Sequence, residues 1–322
     1  MTVALTIFGT LAIAAIIYKV FISLWLIIYP HFLAKRLGRV TNLGELGRWA
    51  VITGGTDGIG KAYAKELARR GLNIFLISRN EERLKATEEE IRLHAPEVEI
   101  KTLKIDFSKA DVDTYRITIA NAVAGLEIGV LVNNVGMCYP YPEQMLSARG
   151  GDEKFLADML TVNCMSAMQM TRIILGSMLN RRRGAVINLA SFFAFAPAPY
   201  LSIYSASKVF VDYLTRGLRS EYASSGVTFQ VVYPFYVATK MSGKRKRPFW
   251  VADPDEYASS ALDTVGVVDM TCGSFSHEIQ GMLVNLFPSW LATWAMKRSL
   301  RQMRDKYMLV KQKRQMKMAN GH

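Results

Sequence analysis

The sequence predicts a doubly wound α/β domain, a parallel sheet with helices on both faces. One membrane-spanning helix precedes it and an interfacial extension follows it. Three observations carry this reading. Short apolar runs alternate with helical patterns between residues 48 and 234, a glycine-rich turn sits at the first strand–helix junction, and residues 3–30 are almost wholly apolar. Repeated strand–helix units need right-handed crossovers, which set the strands parallel and cover both faces of the sheet.

The first element is the apolar N-terminus. Residues 3–18 are apolar or nearly so, and the run resumes from Val20 to Tyr29. As one helix, residues 3–30 would be about 42 Å long against a hydrocarbon core of about 30 Å, so one tilted span fits. Lys19 snorkels if it lies near an edge, and at the centre it would cost roughly 2.5–3.5 kcal/mol. A cleaved signal peptide is the rival reading, but no charged side chain precedes the apolar run and it continues past Ala12-Ile13-Ala14. Lys35, Arg36, Arg39 and Arg48 follow the span, which keeps the main domain on the cytosolic side. The chain thus divides into an anchor over 1–30, a linker over 31–45, the main domain over 46–285, and an apolar then basic extension over 286–322.

Within the main domain, 48–55, 72–78, 98–106, 128–134, 184–191 and 227–234 read as strands. Helices are expected from Gly58 to Gly71, over 80–94, around 110–124, within 153–180 and from about 202 to 224. Ligands of such a fold bind at the carboxyl ends of the strands, where strand order reverses.

Composition narrows the function. Half the residues are hydrophobic and the net charge is +13, which suits a membrane surface as well as nucleic acid. Cys138, Cys164 and Cys272 are odd in number and show no C-x-x-C spacing, which fits a reducing compartment. The four histidines are scattered, so no metal site is expected.

The first strand runs into "TGGTDGIG". Gly54, Gly58 and Gly60 lack the Cβ that would keep backbone away from a pyrophosphate, and the following helix N-terminus offers N–H donors. Thr56, Asp57 and Ile59 of the same loop join them as candidate cofactor contacts. The spacing differs from the G-x-x-x-x-G-K-[ST] phosphate loop, which argues against a nucleoside triphosphatase. At the end of the second strand stand Ser78 and Arg79, where an acidic residue would have bound a ribose. A guanidinium there favours a 2′-phosphate and points to NADPH. Asp106 and Phe107 are expected beside adenine, and Asn133 of "NNVG" at the fourth strand end is a further cofactor candidate.

"YSASK" places Tyr204 and Lys208 one helical turn apart on a shared face. Alone, that pair is also an ordinary amphipathic pattern. Together with "TGGTDGIG", "NNVG" and a serine 13 residues before the tyrosine, the chain resembles the short-chain dehydrogenase/reductase family over roughly 46–285. The resemblance implies a Rossmann-like single domain and a catalytic tetrad of Asn163, Ser191, Tyr204 and Lys208. It assigns Ser191 and Tyr204 to the substrate, Tyr204, Lys208 and Val237 to the cofactor, and to Asn163 a water leading to solvent. Phe235 departs from the family pattern, standing where glycine often follows the proline. An ammonium ~4 Å from the phenol at an effective dielectric of ~20 would contribute about 4 kcal/mol, or roughly three pKa units before desolvation. Tyr204 is therefore expected to be acidified enough to exchange protons near neutral pH.

Within that family, the anchor, "TGGTDGIGKAYA", "LISRN", "SIYSASKVFVDY" and "YPFYVATKM" are similar to the membrane-bound very-long-chain 3-oxoacyl-CoA reductase and 17β-hydroxysteroid dehydrogenase group. This implies NADPH-dependent reduction of a very-long-chain 3-oxoacyl-CoA, with a 17-keto steroid as the alternative substrate. It also implies residence in the endoplasmic reticulum membrane, a homodimer, and proximity to other fatty-acid elongation enzymes. A membrane-held NADPH-binding scaffold without turnover is the reading from another class. The apolar "FFAFAPAPYL" after Ser191 is expected to border the substrate. "MLVNLFPSWLATWAM" (282–296) suits an interfacial segment or a lid. The basic tail suits anionic lipid rather than nucleic acid, given an anchor at the other end of the chain.

Overall fold

The computed structural model describes residues 2–319; Met1 and residues 320–322, the outer ends of the expected anchor and extension, lie outside the described residues. α1 (Thr2–Ile28) is 27 residues long and leaves large apolar side chains such as Phe8, Ile17 and Phe21 without protein cover. Among the described residues, Thr6–Arg36 is the one helix long and apolar enough to cross a membrane. The helix does not stop at residue 30. It widens into a π turn over Tyr29–Leu33 and continues as α2 (Ala34–Arg36), so the first part of the expected linker is helical. Pro30 lies in that wide turn, and its missing N–H removes the bond an α-helix would need there. Gly38, at φ +64°, then closes the helix as the Arg39 N–H donates to the Ala34 carbonyl at 2.8 Å.

The sheet follows in the expected alternation. Its elements are β1 (Trp49–Thr53), α3 (Gly58–Arg69), β2 (Asn73–Ser78), α4 (Glu81–His94), β3 (Ile100–Lys104), α5 (Ala120–Val123) and β4 (Ile128–Asn133). Then come α6 (Glu153–Leu160), α7 (Ser166–Arg181), β5 (Gly184–Leu189), α8 (Ser202–Glu221), β6 (Val227–Val232), α9 (Pro254–Leu262), β7 (Met270–Thr271), α10 (Phe275–Leu286) and α11 (Ser289–Ala319). The seven strands are ordered β3-β2-β1-β4-β5-β6-β7 and every pairing is parallel. The order reverses between β1 and β4, which opens a crevice at their carboxyl ends.

Strand alternation sends Ala50 and Ile52 to one face, against Leu67, Leu76 and Leu262. Val51 goes to the other face, against Phe75, Leu131 and Met170. Both faces are dry, which is why the strands read as unbroken apolar runs. The helix expected around 110–124 is largely a π turn over Thr114–Ile119 that runs into the short α5. The long helix expected within 153–180 is divided into α6 and α7 by another π turn, Thr161–Met165. The two-residue β7 and the helices α9 and α10 had no counterpart in the strand and helix pattern read from sequence.

Gly129 in β4 illustrates how closely the layers approach. A Cβ there would lie 2.8 Å from the Gly47 Cα and from the Leu46 carbonyl carbon, both backbone atoms that cannot swing aside. Gly129→Ala should therefore destabilise the fold by about 1–3 kcal/mol, read as a lower urea midpoint at unchanged m-value.

Candidate active site

The ends of β1 to β6 and the helices α8 and α11 supply the site. At the first, Gly54 (φ +66°) turns the chain out of β1 and Gly58 (φ +52°) turns it into α3. Both adopt backbone that L side chains resist, and a Cβ on Gly58 would come within 2.8 Å of the Thr239 methyl. Gly60 serves a different purpose. It lies away from the cleft, and a Cβ there would run into the Asn134 carboxamide and the Gly54 carbonyl, so it lets α3 close against the loops. Thr56 also turns inward, its hydroxyl 3.0 Å from that of Ser78.

At the second and third strand ends, Ser78, Arg79 and Asp106 line one end of the cleft. Burial would raise the Asp106 carboxyl, but two hydrogen bonds from Ser108 and the nearby Arg79 and Lys109 hold it below the usual carboxylate range. Across the mouth, the Asp57 carboxylate lies 3.3 Å from Lys240 and 3.6 Å from Arg83. Both cations line the cleft with Arg79.

The fourth strand end corrects one assignment. Asn133 does not reach the cleft. Its Nδ2 donates to Asn188 Oδ1 at 2.8 Å and Thr171 Oγ1 at 3.0 Å, inside the layer between β4, β5 and α7. Asn134 is the residue that faces the site. Its Nδ2 donates to the Thr53 and Gly54 carbonyls at 3.0 and 3.1 Å and so ties the glycine turn to β4. Successive strand residues point to opposite sides, so moving one residue along the "NN" pair exchanges these roles.

Ser191 follows β5, and Tyr204 and Lys208 face it from α8; all three line the cleft. Lys208 Nζ donates to the Leu189 carbonyl at 2.8 Å and sits 5.8 Å from the Tyr204 ring centre. The electrostatics differ from the sequence expectation. Burial pushes the Tyr204 phenol well above 10, Cys138 and Tyr236 add to the rise, and a hydrogen bond with Ser191 only partly offsets it. Burial likewise pushes the Lys208 ammonium down, to about 8. The phenol is thus protonated at neutral pH and is not acidified by its neighbour.

Asn163 lies in the π turn between α6 and α7, at 2% exposure. Its Oδ1 accepts from the Met137 N–H at 2.6 Å, and its Nδ2 donates to the Met137 carbonyl and to Ser207 Oγ, both at 2.9 Å. The carboxamide therefore braces the loop after β4 against α8 and does not line the cleft. A Cβ on Gly136 would lie 3.4 Å from Asn163 Oδ1 and 3.5 Å from Lys208 Nζ, so the two side chains converge on that glycine.

These residues bound one cleft of about 550 Å³, with Gly54, Asp57, Gly58, Ile59, Ser78, Arg79, Asp106 and Val237 on the expected cofactor side. A dinucleotide fits this donor set. Arg79, Arg83 and Lys240 supply cations at one end, left-handed glycines leave room along the turn, and a buried ammonium stands at the other end. The remaining wall is apolar and aromatic. Phe192 and Phe235 stack at 4.6 Å with 12° between planes, and Phe193 meets the Tyr204 ring edge-on at 6.1 Å. Phe192, Phe193 and Leu201 border the cleft as expected of the segment after Ser191. Leu300, Met303 and Tyr307 of α11 close it from above, and Tyr307 stacks on Tyr141 at 3.9 Å. This roof was missed among the basic residues of the tail. Its trace is the spacing of Met296, Leu300, Met303 and Tyr307 along one helix face.

A family model of the short chain dehydrogenases matches residues 48–248. The very-long-chain 3-oxoacyl-CoA reductase of Bos taurus is 45% identical over 257 residues, covering 79% of this chain and 80% of its own. Hydroxysteroid dehydrogenase-like protein 1 of Gallus gallus is 42% identical over 268 residues, with 82% and 79% covered. Among solved structures, a short-chain dehydrogenase from Sphingobium yanoikuyae in complex with NADPH is similar at 27% identity. It covers 66% of this chain and 82% of that one, with a TM-score of 0.59.

The buried ammonium has a measurable signature. Lys208 is charged in the unfolded chain up to about 10.5 but in the folded protein only up to about 8. Between those values the unfolded state binds the extra proton, so the contribution of Lys208 to stability rises with pH. Lys208→Met should therefore gain most relative to the native protein below pH 8. That relative advantage should shrink by up to about 1.4 kcal/mol per pH unit above it, measured by urea unfolding between pH 7 and 10.

Proposed function

The chain belongs to the short-chain dehydrogenase family and is a nicotinamide-dependent oxidoreductase, and on that premise we propose that it uses NADPH to reduce the 3-keto group of very-long-chain 3-oxoacyl-CoA. The observation that carries the reading is one cleft with two chemistries. Arg79, Arg83 and Lys240 stand at its polar end, and Ser191 and Tyr204 face an aromatic, apolar wall roofed by α11.

When bound, the reduced nicotinamide supplies a hydride to the carbonyl carbon. The chain supplies the rest. Ser191 Oγ donates a hydrogen bond to the carbonyl oxygen, where negative charge grows. Tyr204 gives its phenol proton to that oxygen, so the ketone becomes a secondary alcohol and the tyrosine a phenolate awaiting a proton from solvent. The raised phenol pKa keeps that proton in place at neutral pH, which favours a donor in reduction over an acceptor in oxidation. Lys208, positive below about pH 8, stabilises the phenolate once the proton has left and offers its remaining N–H bonds to the ribose hydroxyls. Asn163 acts as a positioning residue, holding Met137 and α8 in register around the site.

The apolar N-terminal helix and the cations Lys35, Arg36 and Arg39 behind it support an endoplasmic reticulum membrane protein with its catalytic domain in the cytosol. A second substrate reading, a 17-keto steroid, is favoured by the Phe192–Phe235 stack, a flat aromatic wall suited to fused rings.

An NADPH-consumption assay on the detergent-solubilised full chain should show turnover of a long-chain 3-oxoacyl-CoA. Strong turnover of estrone with none of the acyl-CoA would overturn the first reading. Tyr204→Phe should bind NADPH yet lose roughly 10²–10⁴ in turnover; near-native rates would remove Tyr204 from the chemistry. Arg79→Ala should cut the preference for NADPH over NADH by on the order of tenfold, seen in the ratio of kcat/KM for the two cofactors.

A further inference from the structure

The outer faces of α10 and α11 carry large apolar side chains in a pattern that core packing does not explain. Phe275, Leu283 and Leu286 are exposed on α10. Three, eight and eleven residues apart, they share one face, while His277 and Gly281 turn to the core. The stripe continues into Phe287, Trp290 and Trp294, the two tryptophans being 70% and 55% exposed.

Two further observations say what covers it. The stripe begins at the point where the membrane helix leaves the bilayer. Phe32 packs edge-on against Phe275 at 5.0 Å, His31 hydrogen-bonds Ser260 on α9 at 3.2 Å, and Lys35 pairs with Asp263 at 2.9 Å. The exit of the span is thus fixed against the domain that bears the stripe. Charge is the second. On α11, Trp290, Trp294, Arg298 and Arg301 project to one side, and Met296, Leu300, Met303 and Tyr307 to the other, toward the cleft. The Arg298 guanidinium lies over the Trp294 ring at 5.8 Å, and among the described residues Lys297, Arg298 and Arg301 make no ion pair. Aromatic rings flanked by cations of this kind match the boundary between acyl chains and anionic headgroups.

We infer that α10 and the first turns of α11 form a docking surface for the anionic lipid monolayer that the N-terminal helix enters, so that α11 lies between lipid on one side and the substrate cleft on the other. This rests on the membrane reading of α1 and goes beyond it. A spanning helix alone would leave the domain free to stand off the bilayer, whereas this surface seats it and brings the cleft roof to the lipid.

The test uses the full chain in nanodiscs containing phosphatidylserine, with tryptophan emission compared with and without brominated acyl chains. Trp25 lies in the span, whereas Trp290 and Trp294 report on the stripe. Replacing the last two by phenylalanine should remove a share of the bromine-quenched emission comparable to that removed by Trp25→Phe. Exchanging phosphatidylserine for phosphatidylcholine should weaken the quenching at 290 and 294 while leaving that of Trp25 unchanged. If Trp25 is quenched but the double substitution changes nothing, the stripe is covered by a second copy or another protein and the inference fails while the anchor stands. If Trp25 is not quenched either, both the anchor and the docking surface fail. Quenching at 290 and 294 that ignores lipid charge would overturn the assignment to anionic lipid.

Discussion

Lys208 reaches from α8 to the Leu189 carbonyl, and through that contact the catalytic helix is held in register with the end of β5. The bond is made by a cation inside a layer that excludes water, where an ammonium is costly unless its protons find acceptors. The acceptor sits two residues before Ser191, so the same contact that relieves the ammonium also fixes the helix carrying Tyr204 opposite the serine. Around it, Asn163 spans the loop after β4 and Ser207 on α8, while Ser205 Oγ donates to the Phe193 carbonyl at 3.0 Å. The polar side chains of α8 are thus spent on holding the helix still, and the tyrosine is left to face the cleft.

A second buried polar ladder lies further into the sheet. Asn133, Asn188 and Thr215 connect β4, β5 and α8 in a chain of hydrogen bonds of 2.8 Å each. In a parallel sheet, strand order follows from crossovers, but depth of insertion is set by side chains between layers. Apolar residues can slide at little cost, whereas amides at 0–4% exposure cannot change partners without losing a bond. This ladder therefore helps to hold the strand ends at one level, which is where the cleft needs them.

Much of this was legible from residues alone. Strands dry on both faces leave unbroken apolar runs, and a glycine turn between strand and helix marks itself by residue type. What escaped did so for identifiable reasons. The choice between Asn133 and Asn134 depends on which way the last strand residue points, which pattern does not decide. Asn163 sits in a π turn, whose extra residue shifts the helical phase and turns the side chain into a brace. The phenol of Tyr204 was expected to be acidified because charge can be counted from sequence, while burial cannot. The roof over the cleft was obscured because Leu300 and Met303 lie among arginines and lysines, and a helix with a narrow apolar face reads as solvated.

The wide turn at Tyr29–Leu33 bears on orientation. Upstream of it the helix is apolar apart from Lys19; within the turn and just beyond it, His31, Phe32 and Lys35 must meet α9 and α10. One residue more or less in an α-helix rotates everything beyond it by about 100°, so the looser winding acts as an angular adjustment between an apolar shaft and a keyed socket. A single-residue insertion or deletion there would leave both span and domain intact yet swing the domain about the membrane normal, making this short stretch the least tolerant of length change in an otherwise permissive anchor.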